Sequence, residues 1–121
     1  MEYKNDFSYD LKFGQLGEQM LAEIFSGKKV EVKRDTWICK SRNLAIEYES
    51  RGKPSGIAVS LADYWCFIIS GEMEDKMMLL VEIGKLKEIS RKYYKRGSIK
   101  AMGDNNTSKA VLIPFSELLD V

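Results

Sequence analysis

The order of periodicities along this 121-residue chain predicts an α/β or α+β domain, a sheet with helices packed on it. Three observations predict it. Apolar residues recur at helical spacing in the first quarter of the chain and again within residues 84–97. Two runs, 29–36 and 43–50, alternate charged and apolar residues with a period of two. The stretch "KMMLLVEI" is a short, unbroken apolar run.

Taken in order, Phe13, Leu16, Met20 and Ile24, with Leu21 and Phe25 at the edge, predict an amphipathic helix over about residues 10–26, ended by Gly27. Gly14 at the border of the stripe and Gly17 inside it imply a helix packed close against a sheet. Glu18, on the stripe's border, would reach over the sheet edge. In the first strand Glu31, Lys33 and Asp35 share one face and Val30 and Val32 the other; in the second, Glu47 and Glu49 lie opposite Leu44, Ile46 and Tyr48. The linking "WICKSRN" suits a longer loop rather than a tight turn. "RGKPSGI" is a glycine and proline loop. In "IAVSLADYWCFIIS" Ser60 would cap a short helix over Leu61–Tyr64, with Asp63 at its start and Trp65 in the core; helix and strand are not separable there by pattern. "KMMLLVEI" reads as a buried strand and "GKLKEISRKYYKRG" as a helix with Leu86, Ile89 and Tyr93 inward. A Gly-Asp-Asn-Asn turn then joins two short strands, and "PFSELLDV" is a short helix with Pro114 near its start. There is no internal repeat and no linker, so residues 1–121 read as one domain.

The composition, 45% hydrophobic and 31% charged with two prolines, is that of a globular protein. No stretch approaches the roughly 18 unbroken apolar residues of a membrane span, and "MEYKNDFSYDLKFG" lacks the apolar core of a secretory signal, so a cytoplasmic location is expected. Cys39 and Cys66 have no paired spacing of a zinc site. The chain has no histidine, which excludes histidine general bases, Ser/His and Cys/His nucleophile systems and histidine metal sites. Chemistry here falls to carboxylates, lysine, tyrosine or a metal. The net charge is only +1, but residues 85–100 concentrate lysine and arginine.

If the two alternating runs pair as an antiparallel hairpin centred near Ser41, Asp35 lies across from Glu47 and Lys33 across from Glu49. Carboxylates opposite each other destabilise a bare ladder. A divalent cation reverses that cost, because Mg²⁺ takes one or two carboxylates together with water and phosphate oxygens. Glu18 would add a third acidic group and Lys33 would orient a water or stabilise charge on phosphate. Alternating charge on a strand equally describes a solvated face with cross-strand ion pairs.

The acidic helix residue in "GQLGEQMLAEIF" (Glu18), the strand Asp in "EVKRD" (Asp35) and the Glu in "NLAIEYESRG" (Glu47), followed by a helix, a strand and "LIPFSELL", resemble the PD-(D/E)XK nucleases, most closely small Holliday-junction-resolvase-like and phage-type members. The resemblance implies a restriction-endonuclease-like core, a central mixed sheet flanked by helices. It also implies a Mg²⁺- or Mn²⁺-dependent DNA endonuclease, acting as a homodimer in the cytoplasm (the host's, if phage-encoded), with no membrane or organic cofactor. In that pattern Asp35, Glu47 and the Tyr48 carbonyl hold the ion, and Glu18 completes the site directly or through water. Where the family's lysine would stand, this chain has Glu49, so Lys33 takes the water-positioning role and Glu49 is its partner or a further ligand. Reading Glu31 and Lys33 as the Glu-x-Lys pair leaves no Asp on a preceding strand. Arg51, Lys53 and Ser55 would grip phosphates. Lys40 and Arg42 are weaker candidates, and Lys92, Lys95 and Arg96 beside Tyr93 and Tyr94 would track the backbone. The other expectation is a catalytically silent module that kept the fold for binding nucleic acid or a protein partner.

Overall fold

A computed structural model describes residues 7–120. The chain is α+β, with a mixed three-stranded sheet, an antiparallel four-stranded sheet and helices flanking them. The elements are α1 (Phe7–Phe25), β1 (Val30–Asp35), α2 (Ile38–Ser41), β2 (Asn43–Ser50), β3 (Lys53–Pro54), β4 (Tyr64–Ser70), β5 (Asp75–Glu82), α3 (Ile83–Lys95), β6 (Ile99–Met102) and β7 (Ser108–Pro114). Single 3-10 turns lie at Gly56–Ala58 and Asp104–Asn106, and a longer one at Phe115–Asp120. The first sheet runs β1-β4-β5 and the second β3-β2-β7-β6.

Both sheets and α3 meet in one core. Leu44 and Ile46 of β2 and Val111 and Ile113 of β7 pack with Leu86, Ile89 and Tyr93 of α3 and with Trp65, Phe67 and Ile69 of β4. The period-two pattern of β2 and the i, i+3, i+7 spacing of α3 put those side chains on one face of each element. Glu82 starts α3 by accepting hydrogen bonds from the Gly84 and Lys85 N–H groups at 2.9 and 3.1 Å.

Three local expectations are corrected. The region 61–64 forms no helix: Ser60 Oγ accepts from the Ala62 N–H at 3.3 Å, Asp63 accepts the Lys29 N–H at 2.8 Å, and the chain passes into β4. Strand β5 is an edge strand, and its apolar run is largely exposed, Met78 at 72%. A continuous apolar run thus marked a strand but not a buried one. The short closing helix forms as expected, as a 3-10 helix over Phe115–Asp120. Finally, α1 forms where helical spacing predicts but does not pack closely on a sheet: Phe13, Leu16, Met20, Leu21 and Phe25 are exposed, and no neighbour lies within 4 Å of a side chain placed at Gly14 or Gly17.

Candidate functional site

The charged row of β1 lies beside the core. Glu31, Lys33 and Asp35 pair in parallel register with Trp65, Phe67 and Ile69 of β4, all three buried. Glu31 Oε2 and Lys33 Nζ are 3.0 Å apart, and the ammonium sits 5.2 Å from the centre of the Trp65 ring. Ser60 ties the row to the core: its hydroxyl donates to Glu31 Oε1 at 3.3 Å and accepts the Trp65 indole N–H at 2.9 Å. Asp35 Oδ1 accepts the Trp37 and Ile38 N–H groups at 2.9 and 2.8 Å, capping the first turn of α2. That leaves Oδ2 without a hydrogen bond among the described residues. On the opposite face of β1, Arg34 pairs with Asp75, which also accepts from Ser70 at 2.5 Å; the Ser70 hydrogen bond first, then Arg34, hold the Asp75 carboxyl below its ordinary value.

The charged row of β2 bonds outward. Glu47 Oε2 accepts the Ser55 hydroxyl at 3.0 Å, and the Tyr48 carbonyl accepts the Ser55 N–H at 3.0 Å. Gly56 crosses this strand so closely that a Cβ would stand 2.1 Å from the Glu47 carbonyl oxygen, and its φ is +52°, so glycine alone fits. Glu49 pairs with Lys109 of β7 at 3.3 Å, across a bulge at Tyr48. The Tyr48 ring meets Tyr94 edge-on at 5.3 Å, and desolvation, with Tyr94 adding to it, pushes the Tyr48 phenol above its ordinary value.

The expected hairpin is not formed. Strands β1 and β2 lie in different sheets; Asp35 lies across from Ile69 and Lys33 from Phe67, while Glu47 lies across from Ala110 and Glu49 from Lys109. The reason is in the connector. "WICKSRN" holds α2, and Arg42 at its end takes a left-handed backbone (φ 64°) that turns the chain into the second sheet. The like-charge cross-strand pair is thereby avoided. Glu18 stands on the exposed α1 helix, with no ion pair or hydrogen bond among the described residues. Within those residues no three acidic or thiol groups cluster as a metal cage.

The candidate phosphate contacts are dispersed. Arg51 (φ 53°) donates its N–H to the Thr107 carbonyl at 2.8 Å and carries its side chain into solvent with Lys53; Ser55 is committed to Glu47. Lys40 lies 3.9 Å from Glu72, and Arg42 is exposed at the end of α2. On α3, Lys92 pairs with Glu117 at 3.8 Å and Lys95 is exposed, and Arg96, just past its end, lies 5.0 Å from the Tyr93 ring centre. Cations at this end also complement the helix dipole.

Two features escaped the sequence. Glu31, set aside for want of a preceding Asp, is the carboxylate that engages Lys33; the i, i+2 spacing on one strand face was its signal. Lys87 and Arg91 of α3 line a cavity with Ser90, Tyr94 and Tyr48, which spacing alone does not reveal.

The sheets and charged rows define an α+β protein with carboxylate-rich strand faces and no histidine. No protein-family model, curated protein or solved structure matches this chain.

Proposed function

We propose that the chain is a metal-dependent DNA endonuclease of the PD-(D/E)XK kind, hydrolysing phosphodiester bonds as a cytoplasmic homodimer. The observation that supports this best is the row Glu31, Lys33, Asp35, in which two carboxylates flank a lysine on one face of an edge strand. The donor chemistry suits a hard cation, since Asp35 keeps one oxygen uncommitted and Mg²⁺ needs only one or two carboxylates beside water and phosphate. Asp35 would hold Mg²⁺ or Mn²⁺ through Oδ2, with water and phosphate oxygens completing the shell; Glu47 and the Tyr48 carbonyl, which stand in the other sheet and bond to Ser55, and Glu18 on α1 do not cluster with it among the described residues. When bound, the ion supplies Lewis-acid stabilisation of charge on the phosphate. Lys33 has three N–H donors and spends one on Glu31, so the others orient an attacking water. Glu31 holds the ammonium in place, and the exposed Arg51 and Lys53 bind phosphates on either side.

A specific observation also favours a second reading, a silent nucleic-acid- or partner-binding module: Asp35 and Glu47 stand on strands of separate sheets, and Lys33 is already engaged.

Cleavage of labelled four-way junction, flap, single-strand and duplex DNA with Mg²⁺, Mn²⁺ or EDTA decides between them. Asp35→Asn is the sharpest variant, because its amide oxygen still caps α2 while the charge is gone. The endonuclease reading expects metal-dependent cutting that falls about 10²-fold or more in Asp35→Asn and Lys33→Met, with folding intact. DNA binding with no cutting under any metal establishes the silent module instead.

A further inference from the structure

A cavity of about 250 Å³ lies between α3, β2 and β7. Its α3 wall is Lys87, Ser90, Arg91 and Tyr94, the i, i+3, i+4, i+7 positions of one helical stripe. That stripe is ordinarily apolar when it faces the inside of a protein. Here it carries two cations one turn apart, an arrangement that destabilises a helix unless an anion sits between them. Neither is in an ion pair among the described residues.

The cavity has two further characters. Ser90 is 5% exposed, and its Oγ is a buried side-chain polar atom with no hydrogen-bond partner among the described residues. Leaving such a group unpaired costs free energy that a ligand's polar edge would recover. The opposite wall is aromatic and apolar. It is formed by Tyr48, Ile57, Ala58 and Val111; Tyr48 meets Tyr94 of the α3 wall at 84°, and Tyr94 is half exposed. A flat ring can therefore lie against Tyr94 with its edge toward Ser90. The volume is below the roughly 300–1,000 Å³ of sites for drug-sized ligands, which selects one ring with one anionic group over a large cofactor.

We propose that this cavity binds a single nucleoside monophosphate unit, free or as one residue of a nucleic-acid strand, with its phosphate between Lys87 and Arg91 and its base against Tyr94. The inference rests on the nucleic-acid reading above for the nature of the ring. It adds a base-holding subsite on α3 whose lining includes none of the charged residues of β1 and β2 and none of Lys92, Lys95 and Arg96.

The test is an NMR titration of the full chain in EDTA, where no metal-dependent cutting contributes. The probes are thymidine 5′-monophosphate, thymidine, inorganic phosphate and an eight-residue oligothymidylate. Saturable binding of the monophosphate, with shifts at Ser90, Arg91 and Tyr94, is expected. Arg91→Ala should weaken it about tenfold or more while leaving thymidine unaffected, and Tyr94→Ala should weaken both. Both residues are exposed, so these variants keep the fold. Tighter binding of the oligomer at the same residues identifies the ligand as a strand; binding of the monophosphate without the oligomer identifies it as a free nucleotide, and each upholds the site. Monophosphate shifts confined to Lys92, Lys95 and Arg96, or affinity unchanged in both variants, overturns it. The readout is independent of cleavage: a chain that cuts nothing yet binds the monophosphate keeps the cavity and loses the endonuclease, and the converse result does the opposite.

Discussion

Strands β1 and β2 start from the same pattern, a charged residue at every second position, and end with opposite arrangements. In β1 the charges bond among themselves and to their own neighbourhood: Glu31 to Lys33 and Ser60, Asp35 to the turn that follows. In β2 they bond outward, Glu47 to the Ser55 loop and Glu49 to the next strand. The difference follows from position in the sheet. As an edge strand, β1 has one neighbour, and that neighbour offers only Trp65, Phe67 and Ile69 to the charged row. β2 has a strand on each side and a loop crossing it. Alternation specifies which face a side chain takes; the number and chemistry of neighbours specify its partner.

The comparison is most easily broken at Gly56. Gly56→Ala drives a methyl group into the Glu47 carbonyl and strains a positive φ, and should cost roughly 2–4 kcal/mol of stability. It should also displace Ser55 from Glu47. A urea midpoint checks the first effect, and a midpoint within error of the parent's would mean that the crossing is looser than described.

A smaller effect is expected in β1. Asp35→Ala removes the acceptor for two N–H groups and should cost about 1 kcal/mol, whereas Asp35→Asn should cost under about 0.5 kcal/mol. Equal losses in the two variants would show that the charge, not the cap, is what the fold uses there.

The paired charges themselves should matter least for folding. Glu31–Lys33 and Glu49–Lys109 are both partly exposed, so double-mutant cycles should give about 0.2–1 kcal/mol for each, falling with salt. A coupling well above that in β1 alone would make its ion pair a structural element instead of a positioned functional one.

Groups in contact with the two strands, Asp75 of β5 beside β1 and Tyr48 in β2, should also respond to opposite ends of the pH scale. Asp75, held below its ordinary 3.8 by Ser70 and by Arg34 of β1, contributes stability that is full above that value and lost as pH falls through its lower folded value. Tyr48 of β2, held above 10.0 chiefly by desolvation, contributes stability that is full below 10.0 and lost as pH rises through its higher folded value. Thermal unfolding across pH should therefore lose its acid slope in part in Asp75→Asn and its alkaline slope in part in Tyr48→Phe. The same slopes in parent and variant would remove the respective group from the account.

Much of the fold was legible because the signals were local. The bounds of β1, β2 and α3 follow from periodicity, and Leu86, Ile89 and Tyr93 are buried as their spacing predicts. Pairing was not legible. Nothing in "VEVKRD" shows that its partner is "YWCFIIS", more than thirty residues on, rather than "NLAIEYES", which follows directly. The candidate site suffered most from this, because the alignment of Asp35 with Glu47 depended on that pairing.

The sequence by itself determined the class, the elements, the absence of histidine chemistry and the faces on which the charges fall, since these depend on residue type and on neighbours one turn or two positions away. Only the tertiary structure decided that β1 joins β4, that Lys33 meets Glu31, and that the Lys87, Ser90, Arg91 and Tyr94 stripe lines a cavity. Those contacts depend on which distant segments share a core, and their selection rests on the summed burial of Trp65, Phe67, Leu44 and Ile113 and on no single local preference.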